Sequence, residues 1–263
     1  MLGVRIFIHS LKQVFGNLWP TIRIVAPILV VQFIAGWVLG YVLRANGMSL
    51  EFMIFFGKVP VWLIIVLFLF TVIPMVWTAV NWHRFILLSE QPRGILPPFR
   101  WKSQLAYFGY LVLLLLIAAL LVLAITFLFS FFLTAVTRAF GLSELSPLAE
   151  TVLTLVFALI LYVPFSVLLL RLSPVLPAAA IGKRMKIAEA WAKTEEAGGP
   201  VLVVALLAYL GVTVLDIAWA HMPVTPGMAF MGQMMLNYVY SLVSLSILTT
   251  IYGHFVEGRE LRA

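Results

Sequence analysis

A stretch of 33 residues, from Leu105 to Thr137, contains no charged side chain. This run is far longer than the roughly 10 residues that a membrane β-strand needs, and in lipid it has to satisfy its own backbone hydrogen bonds. An α-helix does so within one segment, so the stretch predicts a transmembrane helix. At about 50 Å it exceeds a hydrocarbon core of about 30 Å, and it must therefore tilt, bend or protrude.

Composition extends this prediction to the whole chain of 263 residues. Hydrophobic residues make up 63% and charged residues only 10%, which leaves too little polar surface to cover a soluble core. We therefore predict an all-α polytopic membrane protein with a single membrane domain over residues 1–263. The net charge of +7 lies in short segments beside apolar runs, which favours contact with membrane lipids over nucleic acid. The absence of cysteine excludes disulfides and thiolate metal sites.

Six apolar runs are predicted to cross the membrane, at about 21–43, 60–88, 105–137, 147–171, 201–219 and 226–256. Pro74 predicts a kink in the second span. Ser146 with Pro147 predicts the start of the fourth span, and Thr225 with Pro226 predicts the start of the sixth.

Residues 1–18 are predicted to form an amphipathic helix that lies in the membrane interface. Its apolar face would be formed by Phe7, Leu11, Val14 and Leu18, and its polar face by Arg5, His9 and Lys12.

Basic residues predict the orientation. The N-terminal segment, the second-to-third connection, the fourth-to-fifth connection and the C-terminal segment hold three, four, five and two of the seventeen Lys and Arg residues. The opposite side holds Arg44, Lys58 and Arg138. The positive-inside rule therefore places both termini in the cytoplasm.

The fourth-to-fifth connection, residues 172–200, is predicted to be a cytoplasmic loop that carries a surface helix. Ile187, Trp191 and Thr194 share a narrow face of that helix, and Gly198 with Gly199 is predicted to end it. The order of polar segment, span, short outer connection and span occurs three times along the chain, which suggests three repeated helical hairpins.

Two elements of this segment, Arg171-Leu-Ser-x-x-Leu-Pro-Ala and Ala190-Trp191-x-Lys193-Thr194, resemble a family of six-span bacterial inner-membrane proteins. That family includes the membrane domain attached to some glycerophosphodiester phosphodiesterases. The resemblance covers about thirty residues and implies a fold and a bacterial inner (cytoplasmic) membrane location. It does not imply catalysis, because the chain contains no phosphodiesterase domain.

Three groups of residues are candidates for a functional site. Asp216 is the one acidic residue inside a predicted span, where it either reaches interfacial water or serves a proton or substrate. Five basic residues could contact a phosphate headgroup or an acidic partner, although topology and snorkelling are the favoured explanation: Arg84, Arg171, Lys183, Arg184 and Lys186. The third group is an outer Met-rich surface, which suits docking of another helix or partner more than binding of Cu(I). It consists of His221, Met222, Met228, Met231, Met234 and Met235.

No H-E-x-x-H, G-x-S-x-G, P-loop or Rossmann pattern occurs, and all four histidines are predicted to lie at surfaces. We therefore expect a non-catalytic structural or accessory component of a larger membrane complex, with no cofactor and no bound metal. The alternative is a transporter or lipid-handling protein. That alternative predicts a polar path lined by residues such as Gln32, Asn81, Asp216, Gln233 and Asn237.

Overall fold

The protein is helical in the computed structural model, which describes residues 1–45, 47, 60–92, 94, 96–139 and 164–261. The helices are α1 (Leu2–Phe15), α2 (Leu18–Ala45), α3 (Val61–Leu88), α4 (Trp101–Ala139), α5 (Val175–Ala180), α6 (Ile187–Lys193), α7 (Gly198–Ala220) and α8 (Pro226–Ile251). Residues 164–172 are also helical and reach α5 through a turn at 173–174. A π-helical turn, Tyr252–Val256, continues α8.

Five helical stretches within the described residues are long and apolar enough to cross a membrane: Leu18–Ala45, Val61–Leu88, Trp101–Phe132, Glu195–Ala220 and Met231–Val256. The all-α class is confirmed. Helix α4 has 39 residues, about 58 Å at the helical rise, as the long third apolar run predicts. Most of the predicted fourth span, including Ser146 and Pro147, lies outside the described residues.

Both chain termini lie at one end of the bundle, which we call the near end. Arg5 Nη2 donates to the Leu261 carbonyl over 3.3 Å, and Ile6 packs in one buried cluster with Ile251 and Leu261. Helices α2, α4 and α7 start at the near end, whereas α3 and α8 finish there.

Buried side chains are concentrated at the near end. There they come from the first half of α2, the last half of α3, the start of α4 and the last turns of α8. The opposite, far halves expose large apolar side chains: Phe127 is 73% exposed and Trp37 is 69% exposed. Such surfaces suit contact with lipid or with another membrane helix.

Helix α1 docks on α7 and α8 through Gly3, Ile6, Ser10 and Val14. Of the predicted apolar face of Phe7, Leu11, Val14 and Leu18, only Val14 belongs to the buried set. The buried face of α1 differs from the predicted apolar face because small residues determine how closely two helices approach each other. A Cβ on Gly3 would overlap the Pro200 carbonyl and Val203. The apolar residues Val4, Ile8 and Phe15 are instead left exposed, as an interfacial helix requires.

Residues 172–200 are not a surface loop throughout. All six residues of α5 are buried, and α5 packs against α3, α4 and α8. The loop prediction was wrong for this part because the apolar VLPAAA sequence fills the core. The short helix predicted from Ile187 is present as α6.

Gly198 and Gly199 do not end a helix; they begin α7, which starts earlier than the predicted Val201. Ala197 precedes them in an αR conformation, so the chain enters the helix without a break. The predicted cap of the last span is confirmed, since Met228 N donates to Thr225 Oγ1 and Pro226 occupies the first turn.

The close approach at Gly3 generates a stability prediction. Gly3→Val should weaken the docking of α1 by about 1–3 kcal/mol, because the new side chain would overlap α7. We expect a lower midpoint of thermal unfolding in detergent. Gly109→Val is the matched control, because a Cβ on Gly109 meets nothing within 4 Å in the part of the chain that the structure describes. Equal midpoints for the two variants would contradict the docking of α1.

Candidate functional site

A buried polar network joins α3, α4 and α8. Thr249 Oγ1 donates its single proton to the Leu245 carbonyl over 2.7 Å. The same oxygen lies 2.7 Å from His83 Nδ1 and therefore accepts the hydrogen bond from that nitrogen. We infer that His83 is neutral, with its proton on Nδ1 and with Nε2 accepting from the Tyr107 hydroxyl at 3.4 Å. Trp82 Nε1 adds a bond to Ser246 Oγ over 3.0 Å.

The network extends to α1, where the hydroxyls of Ser10 and Thr250 lie 3.1 Å apart. His83 is 0% exposed, so the prediction that all four histidines lie at surfaces is wrong for this residue. The sequence signal for these contacts is the cluster of Ser246, Thr249 and Thr250 late in a membrane helix, because such hydroxyls bond either to the preceding turn or to a neighbouring helix.

Arg84 is part of the structure rather than an open headgroup contact. Its Nε donates to Glu90 Oε2 over 3.0 Å, and its Nη1 donates to the Ala180 carbonyl over 3.1 Å, at the end of α5. Arg100 also pairs with Glu90, over 2.8 Å. Arg84 thus ties the end of α3 to α5.

Arg171, Trp191 and Thr194 pack against one another. The Arg171 guanidinium lies 3.6 Å from the centre of the Trp191 ring, and its Nη2 donates to the Trp191 carbonyl over 3.2 Å. Thr194 Oγ1 lies 3.0 Å from the Arg171 carbonyl. Contacts within the fold therefore involve three of the residues on which the family resemblance rests: Arg171, Trp191 and Thr194.

Lys183 forms an ion pair with Glu257 over 2.8 Å, and Arg259 Nε donates to the same carboxylate over 2.8 Å. Arg259 Nη2 also donates to the Leu87 carbonyl. Arg184 and Lys186 are exposed and make no hydrogen bond or ion pair with the described residues. The five basic candidates therefore do not converge on one site.

Ion pairing shifts the pKa values of these surface groups. The hydrogen bond from Arg84 lowers the pKa of the Glu90 carboxyl, with help from the Arg100 charge and against the effect of burial. Burial alone would raise the pKa of Glu257, but the bonds from Lys183 and Arg259 outweigh it and lower the pKa. The bond to Glu257 raises the pKa of Lys183.

Asp216 is held between α7 and α8. Tyr240 donates its hydroxyl to Asp216 Oδ1 over 3.1 Å, and Gln233 Nε2 donates to the same oxygen over 3.4 Å. Gln233 Nε2 also lies 3.4 Å from Asn237 Oδ1. Three of the five predicted path residues thus form a local cluster.

Of the other two path residues, only Asn81 lies apart from Asn237 and the cavity that Asn237 lines. Gln32 donates to the Phe70 carbonyl over 3.0 Å, and Asn81 donates to the Trp77 carbonyl over 2.9 Å. Gln32 and Asn237 line one cavity of about 190 Å³, whereas Asn81 lines a separate cavity at the near end.

The outer Met-rich group is spread along the α7–α8 connection and the start of α8. Met222, Met228, Met231 and Met235 are 50–59% exposed. His221 Nδ1 donates to the Ile217 carbonyl over 2.8 Å. Nowhere in the described ranges do three His, Cys, Asp or Glu side chains come together as a metal site would require.

Gly232 and Trp219 determine how closely α7 and α8 approach each other, because a Cβ on Gly232 would overlap the Trp219 ring.

A groove of about 630 Å³ separates the far halves of α2 and α8, although both helices pack on α3. We call it the α2 groove; it is lined by Gln32, Phe33, Gly36, Trp37, Gly40, Tyr41, Arg44, Met231 and Met234. A Cβ on Gly36 or Gly40 would meet no atom of the described residues within 4 Å. The G-x-x-x-G spacing was the sequence signal for this surface, and our sequence reasoning missed it.

A polar cavity of about 520 Å³ lies at the near end. Its polar lining includes His9, Gln13, Ser89, His254, Arg259 and Glu260. None of the five basic candidates lines it. The cavity is bounded by the π-helical turn and by Ser89, which adopts a left-handed conformation (φ 55°) at the end of α3.

Comparisons with protein families, with curated proteins and with solved structures found no match to this chain. The resemblance to the glycerophosphodiester phosphodiesterase membrane domain therefore stays a prediction.

The Glu90 ion pairs give a pH-dependent prediction. Because its pKa is lowered in the folded protein, Glu90 stabilises the fold above its unfolded pKa of about 4.3, and the contribution is lost as pH falls through the folded pKa. Glu90→Gln should cost about 1–2 kcal/mol at pH 7 and less at pH 3. Glu195→Gln, at an exposed glutamate, is the control. A loss that is the same at both pH values would refute the assignment.

Asp216 gives a separate prediction. Asp216→Asn keeps an oxygen acceptor for Tyr240, so we expect an unchanged midpoint of unfolding. Asp216→Leu leaves the Tyr240 hydroxyl without this partner and should lower stability by about 1 kcal/mol. If Asp216→Asn is stable and well expressed but loses an activity or a bound partner, Asp216 has a functional role instead.

Proposed function

We propose that this chain is a non-catalytic accessory component of a larger complex in a bacterial inner membrane, crossing the membrane six times with both termini in the cytoplasm. Its immediate surroundings are membrane lipids and a transmembrane helix of a partner subunit. No nucleic acid, cofactor or metal is part of this proposal.

The positions of the described helices support six crossings. The N-terminal helix and the C-terminal segment contact each other at the near end, which requires an even number of crossings. Helix α4 leaves the near end, and Leu172 with Val175 lies in the near-end core again. A return between Ala139 and residue 172 would add a sixth crossing to the five described candidates. The excess of basic residues then assigns the near end to the cytoplasm.

The α2 groove carries the accessory proposal. Lipid offers no hydrophobic force that drives helices together, so their association depends on close packing. Small residues four positions apart allow a second helix backbone to approach closely. Gly36 and Gly40 have this spacing, and nothing among the described residues packs on them. Met231 and Met234 form the opposite wall with side chains that adapt to a partner surface. The groove therefore suits an apolar helix from another subunit.

The polar residues favour this function over transport. Transporters place polar groups along a path near mid-membrane. Here His83, Thr249 and Ser246 bond across helices in the near-end core, and Asp216 bonds locally to Tyr240. These contacts use the polar groups for helix association.

Site-specific photocrosslinking tests the proposal. A photoreactive phenylalanine at Trp37, inside the groove, should crosslink a different membrane protein in native membranes. The same probe at Phe131, an exposed position on α4, is the matched control and should crosslink that protein much less.

Filling the groove should break the contact. Gly36→Leu with Gly40→Leu should abolish the Trp37 crosslink and the stoichiometric partner seen after mild-detergent purification, whereas Gly109→Leu should preserve both. A crosslink only between copies of this chain, or only to lipid, would contradict the accessory function; the lipid result would favour lipid handling.

A further inference from the structure

Helix α1 and the first turns of α2 form an exposed surface, residues 2–23, which we call the elbow. The chain turns at residues 16–17, and apolar side chains on both sides of the turn are exposed. Phe15 is 52% exposed and Trp19 is 63% exposed, and the others are Val4, Ile8, Leu18 and Ile22. Such a surface suits the boundary between lipid headgroups and acyl chains.

The exposed face of α1 has an apolar side and a basic side. At 3.6 residues per turn, Val4, Phe15 and Ile8 lie within about 40° of one another around the helix axis. Lys12 and Arg5 come next, about 40° to 60° beyond Ile8, and the face that docks on α7 and α8 lies opposite. The helix can therefore bury its apolar side in lipid while its basic side meets the headgroups.

Lys12 and Arg23 carry the charge of the elbow that remains available to a ligand. Both are exposed, and neither forms an ion pair or a side-chain hydrogen bond with the described residues. The sequence has no acidic residue before Glu51. The Arg23 guanidinium lies 4.9 Å from the centre of the Trp19 ring, and this cation–π contact holds a positive charge beside an interfacial aromatic side chain.

Other basic side chains at the near end have acidic partners. Glu90 pairs with Arg100, and Glu257 pairs with Lys183. Such pairs leave little charge to attract an anion. The elbow differs from them because it joins unpaired positive charge to a wide exposed apolar surface.

We propose that the elbow binds anionic phospholipid, with lipid phosphates at Lys12 and Arg23 and with acyl chains against Phe15, Trp19 and Ile22. The proposal rests on the membrane assignment made under the proposed function, but not on the α2 groove or on a partner subunit. A zwitterionic lipid fits less well, because its ammonium group offsets the charge of its phosphate. An acidic protein segment would match the two cations but not the apolar side chains between them.

A photoreactive phenylalanine at Ile22, inside the elbow, tests which lipid lies there. The purified protein is reconstituted in vesicles with equal amounts of phosphatidylglycerol and phosphatidylcholine that carry the same acyl chains, and crosslinked lipids are identified by mass spectrometry. We expect about fivefold more phosphatidylglycerol than phosphatidylcholine at Ile22. The same probe at Phe131, exposed on the far half of α4, should capture the two lipids nearly equally. Equal capture at Ile22 would overturn the proposal.

Substitutions separate the elbow from net charge. Lys12→Gln with Arg23→Gln should bring the two lipids close to equal capture at Ile22, whereas Lys12→Arg with Arg23→Lys should keep the preference. Arg184→Gln with Lys186→Gln is the matched control, because it removes the same charge from exposed positions between α5 and α6. An equal loss of preference in this control would show that net charge alone attracts the lipid, and it would overturn the proposal.

The comparison of Ile22 with Phe131 leaves both cations in place, so it decides the proposal even if the double variant is unstable. Both leaflets of the vesicles have the same composition, so the result does not depend on which way the protein is inserted. In native membranes, the Trp37 crosslink to a partner should persist in the Lys12→Gln, Arg23→Gln variant. Loss of the lipid preference and loss of the partner are therefore distinguishable failures.

Discussion

Hydrogen bonds of His83 with Thr249 and Tyr107 connect three helices in a region from which water is excluded. In such surroundings a polar side chain must find its partner within the protein. These bonds fix the register of α3 against α8, and the neighbouring Trp82–Ser246 bond helps to hold the same register. The buried α5 helix then fits between α3 and α4, and Arg84 binds the carbonyl at its end. The near end is consequently the buried core, from which the far halves of the helices extend.

The sequence predicted the helical class and the apolar runs because lipid leaves few ways to satisfy a backbone. It also predicted the Thr225 cap, which depends on residues adjacent in the chain. It failed where contacts between distant segments decide the outcome. His83 and α5 are buried by partners far away in sequence, and α1 docks through Gly3 and Ser10 rather than through its most apolar stripe.

The same distinction applies to the candidate sites. The sequence singled out Asp216 as the one acidic residue inside a predicted span, but Tyr240 as its partner follows only from the α7–α8 pairing. The basic residues were grouped because they share a charge, yet Arg84 and Arg171 make unrelated contacts within the fold. Gln104 carried no prediction, since glutamine near a span boundary is ordinary; only the structure shows that its amide is buried with no hydrogen-bond partner among the described residues.

The central claim is that the near end, with both termini, lies in the cytoplasm after six crossings. Because the chain has no cysteine, single cysteine substitutions can be labelled with a membrane-impermeant maleimide, and their labelling shows on which side of the membrane each position lies. Lys186→Cys and Glu260→Cys at the near end should react only after the inner membrane of spheroplasts is permeabilised. Met222→Cys at the far end should react in intact spheroplasts. Reaction of Glu260→Cys in intact spheroplasts, with Lys186→Cys still protected, would contradict the account.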